Sequence, residues 1–387
     1  MKADSLLQRD REEHFFNDQV ERYALVAAIV AALAQAAVVL LFTRNDQLPL
    51  VGAPNSVASQ ALISALVVAL AVSPLAYLRG AAFRNRRLPL ERRHDFRWAV
   101  LPVTMAAALV AGLVVMGTMQ FLNRAFIGVV LPKPLIALAL GFAAGVLAYL
   151  IAGWLSHLRS TGLIYLAIGS LFGTLLFAGV RNDDPMWWTY SFSHLGMTDS
   201  NSRRIFDIGL IFTGLLILVW QQFLMTDVIV LQNHGLVTAR VRRYVRISLI
   251  VVAVATALVG LVRFGISPLF NVVHDLSAVS MGVAAGLLLI SMPWTMPFLP
   301  RAFYTLSFII LAAMLLVLPL KVMGFMGVTG MEMFEFMLAG AWLVLFARNV
   351  VLAAERVADI GPVPVAANGA AKSKGGAQKQ AARTPSR

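Results

Sequence analysis

Along the chain, long blocks that are apolar on every side alternate with short polar interruptions. Ten blocks are long enough to cross a bilayer, at about residues 22–43, 59–78, 98–120, 134–156, 162–181, 205–225, 244–264, 272–292, 303–321 and 328–352. A hydrocarbon core about 30 Å thick needs roughly 20 mostly apolar residues in helical form. Barrel strands would alternate polar and apolar positions over about ten residues, and these runs do not. The pattern therefore predicts an all-α, polytopic transmembrane helical bundle of about ten helices.

Basic residues orient the bundle. The interruption after the second block carries Arg79, Arg84, Arg86, Arg87, Arg92, Arg93 and Arg97. The one after the sixth carries Arg240, Arg242 and Arg243, and the tail carries Lys372, Lys374, Lys379, Arg383 and Arg387. The alternate loops hold scattered bases such as Arg44, Arg124, Lys133 and Lys321, apart from the pair Arg203 and Arg204 at a helix mouth. Basic loops stay on the cytoplasmic side, so ten spans with both termini inside (N-in, C-in) satisfy every loop. Residues 182–203 then face outward from a plasma membrane.

Composition strengthens this reading. Hydrophobic residues make up 59% of the 387 positions and charged residues 13%, well below the quarter expected of a soluble domain. The formal charge of +13 fits cytoplasmic loops beside anionic lipid, so membrane lipids are the expected partners and nucleic acid is not. There is no cysteine, which excludes disulfides and thiolate chemistry. The first 22 residues mix both charge signs before any apolar run, the pattern of a retained signal anchor and not a cleavable signal peptide.

Four regions follow. Residues 1–21 form a cytoplasmic N-terminal segment, 22–157 a four-helix transmembrane part, 158–355 a six-helix transmembrane domain, and 356–387 a basic cytoplasmic tail. The tail from Gly361 has no apolar face to bury and is expected to be disordered. Glycines at packing spacing, Gly141 with Gly145, Gly169 with Gly173 and Gly282 with Gly286, suit close helix approach in lipid.

Candidate chemistry collects in the six-helix domain. Nucleotide-binding, serine-hydrolase and zinc-protease motifs are missing. His14, His94, His157 and His234 fall among basic loops and read as solvated surface. The stretch "WWTYSFSHLGMTDSNSRR", residues 187–204, differs. With Asp183 and Asp184 just before it, it holds Trp187, Trp188, Tyr190, His194 and Asp199, and Asp207 follows within the next helix. Arg263 closes the seventh block, His274 and Asp275 open the eighth, and Glu332 and Glu335 share one face at the start of the tenth. Acids within a membrane are costly and usually pair, line a cavity or bind something. Three readings are open: helix caps and interfacial anchors; a headgroup pocket of aromatics, arginines and oriented acids; and a metal-dependent hydrolase on His194 and His274. The last lacks any ligand pair at helical spacing, so neither metal nor cofactor is expected.

The segments "WWTYSFSHLGMTDSNSRRIFDIGLIFTGLL" and "RFGISPLFNVVHDLSAVSMGVAAG" also resemble a bacterial membrane-protein family of unknown function related to the Frag/DRAM/Sfk-type six-helix proteins. In such proteins a polar loop of the Ser193–Gly196 kind leads into a helix with the rhythm of Phe206, Gly209, Leu210, Gly214 and Leu215, and a histidine such as His274 heads a later helix. The resemblance covers residues 160–355 and implies a connection with lipid remodelling or membrane organisation, without naming a reaction.

The expected function is recognition or processing of a lipid or glycolipid headgroup at the extracytoplasmic face. The candidate binding residues are His194, Asp207, Arg263, His274, Asp275, Glu332, Glu335, Trp187 and Trp188. A structural or accessory subunit serving a membrane-protein partner is the alternative, and a transporter comes third. The sequence motifs name no reaction.

Overall fold

A computed structural model describes residues 2–52, 54–87, 97–197 and 201–360. The centre of the arginine-rich loop with Arg92, Arg93 and His94, Asp199 in the polar loop, and the tail from Gly361 lie outside the described residues. The architecture is an all-α polytopic bundle. Its helices are α1 (Lys2–Phe42), α2 (Val57–Arg87), α3 (Val100–Ala125), α4 (Lys133–Ser156), α5 (Ser160–Val180), α6 (Asn201–Asn233), α7 (Ala239–Leu261), α8 (Pro268–Thr295), α9 (Arg301–Val322) and α10 (Val328–Ile360). Among the described residues, all ten are long and apolar enough to cross a membrane, and the protein is a multi-pass membrane protein.

Several helices outrun their apolar blocks. The 41 residues of α1 begin in the polar segment that hydropathy leaves outside the membrane. Phe16 fixes that extension: its ring stacks on Phe83 at 3.8 Å and meets the edge of His157 at 5.5 Å. His157 in turn shares a hydrogen bond with Asn17 Oδ1 at 3.0 Å, and Tyr149 donates to Glu21. At this same end Arg159 pairs with Glu355 of α10 at 3.1 Å. The N-terminal part of α1 and the C-terminal part of α10 therefore sit at one end of the bundle, here termed the terminal end. The polar loop lies at the other, the loop end.

Helix starts follow local chemistry. Thr238 and Ser267 accept from Val241 N and Phe270 N, capping α7 and α8, and Pro268 occupies the first turn of α8, where its missing N–H costs nothing. At the loop end β1 (Gln47–Pro49) pairs antiparallel with β2 (Val130–Pro132), with Leu48 opposite Leu131. Three-residue strands carry too little alternation to be expected from sequence.

Close helix contacts occur where glycine permits them. A Cβ on Gly141 or Gly145 would lie 2.9 Å from Ala32 O or 3.0 Å from Ala28 O, so α4 rides directly on the α1 backbone. Gly214 of α6 meets Ala253 O of α7, and Gly260 of α7 meets Asp207 O of α6, so those helices touch along their length. Among the described residues, Gly169, Gly282 and Gly286 meet nothing within 4 Å, so the third glycine pair marks no helix contact there. One apolar cluster runs from Ala24 to Ala354 through both halves of the chain, with α3 packed on α5 and α6. A smaller cluster of Leu175, Ala178, Phe192, Leu195, Phe206 and Leu210 lies at the loop end.

Candidate functional site

The polar loop folds into two short 3-10 turns, Trp187–Thr189 and Phe192–Gly196. Its backbone is satisfied locally. Asn182 Oδ1 accepts from Asp184 N, Asp184 Oδ1 accepts from Met186 N, and Ser191 Oγ caps the second turn by accepting from His194 N. Apolar side chains of the loop point down: Phe192 and Leu195 are buried against α5 and α6. Trp187 packs over Gly179, where a Cβ would lie 2.6 Å from the indole, and its ring lies 5.7 Å from Phe192. Trp188 and Tyr190 stay exposed, so only part of the aromatic group is placed as an interfacial belt would be.

Two candidates from distant helices seize the second turn. Glu332 Oε2 of α10 accepts from the main-chain N–H of Phe192 at 2.7 Å. His274 of α8 is 4% exposed and lies 2.9 Å through Nε2 from Ser193 Oγ. Its Nδ1 lies 2.8 Å from Val262 O. A carbonyl oxygen only accepts, so Nδ1 carries the hydrogen, and in the neutral ring Nε2 accepts the Ser193 hydroxyl proton. Phe264 meets the imidazole edge-on at 5.6 Å.

Asp207, one turn into α6, and Arg263, at the α7–α8 junction, approach to 3.8 Å. The Asp207 side chain is 19% exposed and the Arg263 side chain 42%, so the arginine is the more open partner of the two.

The remaining candidates stand further out. His194 stacks on Tyr190 at 4.4 Å and its Nε2 is 3.8 Å from Asp184 Oδ2. Among the described residues the two histidines share no partner, His194 meeting Asp184 and Tyr190 and His274 meeting Ser193 and Val262. Among the described residues, no three histidine or acidic side chains converge as a metal-ligand set. Asp275 is exposed, on the other side of α8 from His274 and Ser277, which are both buried on one face. Glu335 is partly buried, one turn beyond Glu332. A cavity of about 380 Å³, lined by Gln35, Thr43, Arg44, Asn55, Gln60 and Ser64 among others, shares no lining residue with this loop.

Sequence reading misses two members of the arrangement: Ser193 as the partner of His274, and the Val262 carbonyl behind it. The resemblance marks Ser193 as the start of the polar-loop motif, but local sequence does not pair it with a histidine 81 positions away. A main-chain carbonyl leaves no mark at all.

Residues 165–349 match a protein family described as "Protein of unknown function (DUF998)". The match takes in the loop, Asp207, Arg263, His274, Glu332 and Glu335, and leaves out α1 to α4. No curated protein and no solved structure matches the chain. The comparison therefore groups the site-bearing part of the chain with an uncharacterised family and supplies no reaction.

Proposed function

We propose that the protein recognises or processes a lipid or glycolipid headgroup at the extracytoplasmic face of the plasma membrane. The observation that carries this reading is the buried His274, held between Ser193 and the Val262 carbonyl beside the Asp207–Arg263 pair. An ionisable ring kept at the end of a membrane helix costs desolvation energy that a purely structural contact would avoid with an amide or hydroxyl. The part-exposed Arg263 side chain supplies a positive fork for a phosphate or carboxylate, and Trp188 and Tyr190 supply a rim at headgroup level. The arginine distribution supports an outward loop end.

A second reading has its own support. Glu332 spends its carboxylate on Phe192 N, so part of the cluster fastens the loop, as a non-catalytic accessory subunit would also need. Melting curves of the purified protein in detergent, with phosphatidylglycerol, phosphatidylethanolamine or a neutral glycolipid added, test the choice. The headgroup reading expects at least one of these lipids to raise the melting temperature in the wild type and not in Arg263→Gln. No lipid-specific rise that depends on Arg263 would favour the accessory role.

A further inference from the structure

Ser193 and His274 stand in the relation of a nucleophile to its base. The hydroxyl is 2.9 Å from Nε2, and the opposite ring nitrogen is 2.8 Å from a carbonyl that fixes the tautomer. Nucleophile, base and orienting acceptor in that order define an activated serine, whichever fold presents them. The position of the orienting acid is taken here by Val262 O. Ser193 is half-buried on a turn whose first N–H is held by Glu332 and whose third is held by Ser191, so its backbone is fixed. The walls near it are apolar: Phe264 against the imidazole, and Phe192 against Phe336 at 6.2 Å.

We infer that Ser193 is a nucleophile with His274 as its base, and that the site cleaves or transfers an acyl group from an ester of a membrane amphiphile. This deepens the headgroup reading and rests on it. Ser193 Oγ attacks the ester carbonyl carbon while its proton passes to His274 Nε2. The ester C–O bond breaks, and the leaving alkoxide takes that proton from Nε2. Water, or an acceptor alcohol, then attacks the acyl-serine, gives its proton to Nε2, and releases the free acid or new ester. The final proton return restores the Ser193 hydroxyl. The arginine fork of Arg263 suits an anionic headgroup on the leaving side, and the phenylalanine walls suit the acyl chain.

The chain has no cysteine, so the base can be tested without knowing the substrate. In full-length Ser193→Cys, a thiol beside His274 reacts as thiolate well below pH 8.5, the pKa of a free cysteine. With methyl methanethiosulfonate at pH 6, Ser193→Cys should react at least tenfold faster than Ser193→Cys/His274→Gln. In parallel, a fluorophosphonate probe should label wild type at Ser193, and neither Ser193→Ala nor His274→Gln. Equal thiol rates in the two variants, or no reaction in either, overturn the proposal, and so does a wild type that the probe does not label at Ser193. Lipid-dependent melting of the Ser193→Cys protein separates the two levels: a retained lipid response with no nucleophilic reactivity removes the acyl chemistry and leaves headgroup recognition standing.

Discussion

Glu332 accepts a hydrogen bond from the main-chain N–H of Phe192, 140 residues earlier in the chain, at 2.7 Å. The bond ties the first turn of α10 to the start of the Phe192–Gly196 turn, and the same turn is held by His274 from α8. Removing the acceptor leaves a part-buried N–H without its partner, which costs about 1–3 kcal/mol. Glu332→Ala should therefore lower the melting temperature in detergent clearly more than Glu332→Gln, whose amide oxygen can still accept. Melting curves that coincide for the two variants would mean that the bond contributes nothing to holding the loop.

The glycine contacts give a sharper contrast. Gly141 stands where a Cβ would be 2.9 Å from Ala32 O, while Gly282 opens onto empty space. Overpacking a tight contact typically costs 1–3 kcal/mol, about the range expected for Gly141→Val. Gly282→Ala should be neutral or slightly stabilising, because alanine restricts the unfolded chain and favours helix. Yield and melting temperature of the two variants, side by side, check this. Similar losses at both positions would mean that α8 packs there against a surface the single chain does not contain.

The ten spans were legible because lipid leaves the backbone one economical solution, a run of about 20 apolar residues folded as a helix. What lies outside lipid followed other rules. The polar start of α1 is helical because Phe16 finds Phe83 and His157, contacts made across 67 and 141 positions that no local window contains (83 − 16 and 157 − 16). The β1–β2 pair likewise joins residues far apart in the chain. In the candidate site, His274 and Glu332 stood out as ionisable groups in apolar helices, and the structure brings both to adjacent residues of one turn. Asp275 carried the same signal and sits on the exposed side of α8, while His194, singled out within the polar loop, stacks on Tyr190. Charge in an apolar setting marks a residue as costly, but the direction of its side chain depends on helix rotation and loop path, which tertiary packing decides.

Sidedness has a direct measurement. Single cysteines at Asn55, Met186 and Gly327 should react in intact cells with an impermeant thiol reagent, and one at Arg243 should react only after permeabilisation. The chain has no cysteine of its own to confuse the signal. The expectation rests on the basic loops remaining in the cytoplasm. Labelling at Arg243 in unbroken cells together with silence at Met186 would invert the bundle and move the site to the cytoplasmic face.

Asp207 and Arg263 separate binding from stability. At 3.8 Å, with the Arg263 side chain 42% exposed, the pair has the geometry of a loose contact. A double-mutant cycle of Asp207→Asn and Arg263→Gln should give a coupling of about 0.2–1 kcal/mol, as exposed pairs do. Lipid response should split the two residues far more widely. If the guanidinium receives an anionic headgroup, Arg263→Gln abolishes the stabilisation by that lipid, whereas Asp207→Asn keeps or strengthens it by removing the acid that competes for the same fork. The sign of the Asp207 effect decides the matter, because a carboxylate that merely anchors Arg263 for binding would weaken the lipid response when neutralised. Lipid-dependent melting of both variants across a range of salt reads this directly. Rising salt should erode the wild-type response through screening of the exposed guanidinium. A lipid response indifferent to Arg263 and to salt would assign the affinity to the apolar walls and leave the ion pair a structural contact alone.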